Sequence, residues 1–272
     1  MTEKEYRSHQ AISRSELWIM NESPEKFKWF KEHPATQTPA LLFGRLVHKL
    51  LLEPDSFDDE FVIMPKCDRR TKEGKAFWDD FLRYVAKYEV DMVTQEDCDT
   101  AIEMISKLRQ DPICTRLFSG EHEVPIFWTD EDTGEPCKCR LDAVIDIDGM
   151  PYIIDYKTAA NAHTDIFNSE IYRRGYYFQA AMYTEGVMHE HGLSERPGFI
   201  FVVQEKKAPY AINRILVSDD VMTAGLDKFR ELIGTYHACK EMDYWYGYNG
   251  ISGETNEAYL PGWMSLGDEE EE

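Results

Sequence analysis

Residues 140–158 read Arg-Leu-Asp-Ala-Val-Ile-Asp-Ile-Asp-Gly-Met-Pro-Tyr-Ile-Ile-Asp-Tyr-Lys-Thr. Two runs rich in β-branched and aromatic residues flank Asp148-Gly149, a pair suited to a two-residue hairpin turn. With that turn Ile147 faces Met150, Asp142 faces Asp155 and Arg140 faces Lys157. Residues two apart share a face of a strand, so all four charged side chains are expected on one side of the sheet. Counted from the turn, Asp142 and Asp155 form the closer, non-hydrogen-bonded kind of pair. A three-residue loop would break this register.

Facing carboxylates repel and destabilise a strand pair. A divalent cation between them turns repulsion into coordination. Oxygen ligands favour a hard ion, Mg²⁺ with Mn²⁺ as a substitute, over zinc. Lys157 reaches the same place and could orient or deprotonate a water, or neutralise charge on a phosphate. Together these groups suit hydrolysis of a phosphodiester. The plainer reading is a surface hairpin with a solvated acidic face. The apolar flanks Ala143–Ile145 and Tyr152–Ile154 argue against it, because they suit burial on both sides.

Outward from the hairpin, helical spacing covers residues 11–33, with a second start at Ser23-Pro24, and then 40–53, 72–89 and 94–109. Strand-like stretches follow at 123–128, 137–147 and 151–158, then a helix over 165–189, strands at 199–204 and 211–217, and a helix over 219–240. The order predicts one α/β domain with a mixed sheet. Residues 1–267 form that domain, mainly helical over 1–115, with the catalytic sheet and helices over 120–240. The aromatic-rich end from Tyr244 is expected to wrap the surface. Residues 268–272, all acidic, are expected to be a solvated tail.

The chain has 272 residues and a net charge of −21, which excludes a simple basic DNA-coating protein. Basic residues converging locally could still meet nucleic acid. No apolar run approaches a membrane span, and the N-terminal residues show no signal-peptide pattern, so a cytoplasmic protein is expected. The six cysteines are expected as free thiols. Cys137 and Cys139 are the one close pair, and nothing ties His189 and His191 to them as zinc ligands.

Asp142 followed by Asp155-Tyr-Lys157 resembles the PD-(D/E)xK nuclease signature, with Leu141 in place of the usual Pro. Phe43–Phe57 resembles the His-bearing helix of RecE-type (exonuclease VIII-like) phage exonucleases. Glu123–Gly134 resembles the segment holding that family's first metal-site acid. Gln179-Ala-Ala-Met-Tyr183 matches the QxxxY helix of RecB-like nucleases, and Tyr176-Tyr-Phe178 also suits the RecE type. The resemblance spans about Ile12 to Val203.

It implies a single-domain PD-(D/E)xK fold with a central mixed sheet flanked by helices and a helical N-terminal region. The implied activity is an ATP-independent, Mg²⁺-dependent 5′ to 3′ exonuclease on double-stranded DNA in phage-type recombination. The implied partners are copies of itself in a tetrameric ring and a single-strand annealing protein. Asp142 and Asp155 would hold metal, with the Tyr156 carbonyl as a further ligand. Glu123 would complete the set, Glu121 being its competitor. His48 would sit against the metal, and Lys157 would act on the attacking water. Gln179 and Tyr183, four apart on one helix face, would contact DNA or steady the site. Without the resemblance, His48, Gln179 and Tyr183 read as core residues with a hydrogen bond each. In a ring, Arg45, Arg140, Arg173, Arg174, Lys206 and Lys207 are candidates for DNA contact, and each is equally an ordinary surface charge.

Three other readings compete: a PD-(D/E)xK endonuclease, a non-catalytic DNA-binding or assembly module on the same fold, and an iron–sulfur nuclease. The last lacks the cysteine cluster it needs. The sequence contains no GxxxxGK[ST] loop, which argues against a motor in this chain.

Overall fold

The computed structural model describes residue 1, residues 3–33 and residues 36–260. The acidic tail expected at 268–272 lies outside the described residues. Helices α1 (Glu3–Ser8), α2 (Arg14–Met20), α3 (Pro24–Glu32) and α4 (Pro39–Leu52) come first, with the short strand β1 (Ile12–Ser13) between α1 and α2. A 3-10 turn at Pro54–Ser56 leads to α5 (Phe57–Glu60), β2 (Phe61–Ile63), α6 (Lys72–Tyr88), β3 (Asp91–Val93), α7 (Gln95–Arg109) and α8 (Pro112–Leu117). Then follow β4 (Glu121–Thr129), β5 (Pro136–Ile147), β6 (Met150–Ala159), α9 (Thr164–Arg173), α10 (Tyr176–His191), β7 (Gly198–Glu205), β8 (Ile212–Leu216) and α11 (Asp219–Met242).

Local chemistry explains most starts. Ser13 and Glu16 form a reciprocal capping box at α2. Ser23 caps α3 and Thr38 caps α4, each with Pro in the first turn, and Thr94 and Ser218 cap α7 and α11. Two helical expectations are corrected. Ile12 and Ser13 are strand rather than helix, because their backbone pairs in parallel with Cys137 and Lys138. The helix expected over 165–189 is broken at Gly175, whose φ of +67° and contact with the Trp18 ring leave no room for a Cβ. The β2–β3 pair, α1 and α8 carry too few periodic residues to have been read.

The main sheet runs β1-β5-β6-β7-β8, with β4 also on β5. The Asp148-Gly149 turn is as expected: both residues have positive φ, 56° and 86°, and Ile147 pairs with Met150. The register then holds only as far as Ala143↔Ile154. The expected pairs Asp142–Asp155 and Arg140–Lys157 are not formed, which corrects the four-on-one-face reading. β4 occupies one edge of β5 from Val144 to Pro136, while β1 takes the other edge at Cys137 and Lys138. β6 has left by then and continues beside β7 as far as Ala159↔Glu205. The hairpin is therefore forked, and the fork opens at the aspartates.

Two cores sandwich the sheet. Leu17, Phe27, Ile153, Phe178, Phe201 and Phe229 pack on one face, beneath α2, α3, α10 and α11. Leu46, Met104, Ile154, Tyr156 and Val202 pack on the other, beneath α4 and α7. In β5, Cys137, Cys139 and Leu141 face the first core but Ala143 and Ile145 face the second. β4 makes the same change, with Val124 and Ile126 toward the first core and the His122 ring between the carbonyls of Leu52 and Phe118. Both strands switch face at one rung, Glu123 and Asp142. That rung is missing from the ladder, and Glu123 has a left-handed φ of +51°. The aromatic C-terminal segment does lie on the surface helices: Trp245 stacks on Phe27 at 5.3 Å.

Gly225 lets α10 and α11 touch: a Cβ there would lie 2.2 Å from the Tyr177 carbonyl oxygen and 2.8 Å from Ala181 Cβ. Gly225→Ala is expected to cost about 1–3 kcal/mol of stability by overpacking, read as a lower urea midpoint. An unchanged midpoint would show that the two helices can separate without loss.

A candidate metal centre at the fork of the hairpin

Asp142 is left at the mouth of the fork. Its Oδ2 accepts the Tyr156 N–H at 2.7 Å and lies 3.5 Å from His48 Nδ1 on α4. Burial alone would raise this carboxyl, but His48, Lys157 and the Tyr156 N–H together hold it below the usual carboxylate range. The same pair acts in reverse on His48, where burial opposes the imidazolium and Asp142 wins, holding the ring above its ordinary value. Glu123 sits on the switched rung beside Asp142, with Oε2 2.6 Å from Arg140 Nε. Burial, and then repulsion by Asp142, push its carboxyl up to about 7. Ligand atoms of His48, Glu123 and Asp142 all lie within 4.8 Å of one another.

Asp155 is on the other prong and turns toward α10, where Gln179 Nε2 donates to its Oδ1. Its Oδ2 is buried and meets Lys157 Nζ as an ion pair. Burial raises this carboxyl, Lys157 opposes and Asp142 adds to the rise. Lys157 answers with an elevated value of its own: burial would lower it, but Asp155 and Asp142 keep the ammonium charged. Its Nζ also lies over the Tyr176 ring, 5.1 Å from the centroid. Asp155 and Asp142 thus hold Lys157 as a cation.

The donor set suits a hard divalent cation. It offers carboxylate oxygens from three residues, and two carboxyls that a bound cation would pull back to the charged form. Tyr156 contributes no side chain. Its hydroxyl donates to Gln204 Oε1 at 2.7 Å inside the second core. Its N–H points to Asp142, and in an extended strand the carbonyl of the same residue points the same way.

The fork opens into a cleft of about 1300 Å³. Of the expected site residues, the cleft gathers His48, Glu123, Asp142, Asp155, Lys157, Gln179 and Tyr183. Glu121, the competitor of Glu123, is exposed and outside it. Among the basic candidates Arg45, Arg140, Arg174 and Lys206 line the cleft, whereas Arg173 and Lys207 do not. Arg45 is tied to Asp91 at 2.6 Å and Glu60 at 2.9 Å, and Arg140 to Glu123 and Glu53, so both brace the wall. Arg173 and Arg174 both pair with Glu170. Arg14 was missed by the sequence reading. It follows β1 directly, its guanidinium lies over Trp18 and Tyr176 at 5.6 and 5.8 Å, and its buried Nε has no acceptor. The pairing of residues 12–13 with β5, invisible to helical periodicity, brings it there. All six cysteines are free, and no helix among the described residues is long and apolar enough to cross a membrane.

A family model described as "PDDEXK-like domain of unknown function (DUF3799)" matches residues 13–256. A crystal structure from Eubacterium rectale, described as a "putative exonuclease", is similar with a TM-score of 0.63, 17% sequence identity and 96% of each chain covered. A second crystal structure, described as SSO0001, aligns at a TM-score of 0.32 and 14% identity over 70% of this chain and 84% of its own. Among curated proteins none matches the sequence.

Because Glu123 holds a proton up to about pH 7 without metal, a cation must displace that proton to use the carboxylate. Calorimetric Mn²⁺ affinity is expected to weaken by roughly tenfold per pH unit below that point, with proton release measurable in buffers of different ionisation heat. Glu123→Gln should lessen the dependence, with His48 and Asp155, both raised, carrying the remainder. Affinity flat from pH 8 to pH 6 would take Glu123 out of the ligand set.

Proposed function

We propose a function for this chain from one premise: it belongs to the family of PDDEXK-like domains. It is a Mg²⁺-dependent, ATP-independent deoxyribonuclease that digests linear double-stranded DNA from the 5′ end. The observation that carries the hydrolytic part is the fork itself. Asp142, Glu123 and His48 converge within 4.8 Å, and beside them the buried Asp155 is paired with a charged lysine.

A Mg²⁺ or Mn²⁺ ion held by Asp142, Asp155 and Glu123, with His48 alongside, would supply Lewis-acid charge to a phosphodiester and its attacking water. The chain's own groups do the rest. Lys157 holds a water by its ammonium and neutralises charge that develops on the phosphate. Gln179 fixes the Asp155 rotamer through Oδ1, while Lys157 pairs with Oδ2. Arg140 holds Glu123 from the wall side. Arg14 and Lys206 offer cations to the phosphates on either side of the scissile bond.

Duplex preference and 5′ to 3′ polarity are supported by the resemblance of residues 43–57, 123–134 and 176–183 to RecE-type exonucleases. So are a role in phage-type recombination and a single-strand annealing partner. ATP independence is supported by the lack of a GxxxxGK[ST] loop in the sequence.

The test is digestion of linear duplex labelled at one 5′ end, with Mg²⁺ and no ATP, beside a closed-circular control. Release of the 5′ label with the circle intact is expected. A cut circle would make the chain an endonuclease, and no cleavage with Mg²⁺ or Mn²⁺ would leave a binding module. Lys157→Ala and Asp155→Asn should each lower kcat by about 10²–10³-fold or more. Full activity in either purified variant would remove the fork from the chemistry.

A further inference from the structure

Among the described residues, helix α6, 17 residues long, is the one long element with no buried residue. At 100° per residue, Phe77, Trp78, Phe81, Leu82, Tyr84, Val85 and Tyr88 fall on one continuous side, and charged residues occupy the other. Phe77 is 52% exposed, Leu82 39%, Tyr84 44% and Tyr88 53%. The helix follows β2 and precedes β3 in the chain, and none of its residues is among those of either core. Arg69 covers part of Trp78, 4.4 Å from its ring; Trp78, Phe81 and Val85 are half-buried and the other four stand exposed. A patch of that kind on a soluble protein marks an interface.

We propose that the occupant of this face is the α6 of a second copy of the chain, packed antiparallel about a two-fold axis. The charges along the edge of the stripe carry the choice of partner. Glu73, Asp80 and Lys87 lie seven apart on one flank. An antiparallel pair centred on Asp80 sets Glu73 of each copy against Lys87 of the other, closing two equivalent ion pairs. The two Asp80 side chains meet at the axis, and each is already paired with Arg83 of its own helix. A parallel pair would not bring this flank against itself. The contact is isologous, so it differs from the head-to-tail contacts of a closed ring of four. It touches none of the residues assigned to cleavage.

Sedimentation of the full-length protein at micromolar concentration tests this. Wild type is expected to run at an even multiple of the chain mass of 31.8 kDa. Phe81→Glu should halve that mass while circular dichroism and cleavage of linear DNA are retained. Glu73→Lys should raise the dissociation constant by about fivefold or more, and Glu73→Lys with Lys87→Glu should restore it. A wild type that sediments as one chain overturns the proposal. So does assembly that Phe81→Glu leaves intact, or a double reversal that stays as weak as the single. The last result would show that α6 meets a different surface.

Discussion

The site depends on two strands that cannot stay paired. A regular ladder would press Asp142 and Asp155 together at the close spacing of a non-hydrogen-bonded rung, in a buried sheet, without a counter-ion. The hairpin avoids this by parting after Ala143↔Ile154. The backbone N–H exposed by the parting is Tyr156, and Asp142 Oδ2 accepts it at 2.7 Å. One carboxylate thus replaces the missing backbone bond and is fixed by doing so. The gap that results is filled further along by β1, which delivers Arg14 to the cleft wall.

Electrostatics and geometry agree on how the two prongs divide the work. Asp142 is stabilised as an anion by His48, Lys157 and the Tyr156 N–H, while Asp155 and Glu123 are destabilised by burial and by Asp142. An arrangement with one settled carboxylate and two unsettled ones stores unfavourable energy that a cation would release. Gln179 and Arg140 keep the unsettled pair in place. The ionic braces of α4, Arg45 to Glu60 and Asp91 and Lys49 to Glu53 and Glu60, hold the helix that carries His48.

Net charge also looks different once the chain is folded. The total of −21 argues against a DNA-coating surface. Yet Arg14, Lys157, Arg174 and Lys206 all open onto one cleft. A concave site needs only a local surplus of cations near the phosphate, since more distant acids are screened at physiological salt.

The sequence by itself determined the strand–turn–strand, the acids and lysine it carries, the helices with capping residues, and the α/β class. Each of these depends on residues close together in the chain, on turn chemistry, periodicity or caps. Glu123, His48, Gln179 and Tyr183 were legible only by resemblance; the last three otherwise read as core, and Glu123 by its spacing shares a strand face with Glu121. Only the tertiary structure decided that the hairpin forks, that Glu123 rather than Glu121 enters the site, that Arg14 lines it, and that Arg45 and Arg140 are braces. Those outcomes depend on which strand occupies the vacated edge of β5 and on a face switch shared by two strands. Both are set by contacts between residues far apart in sequence, which no local pattern encodes.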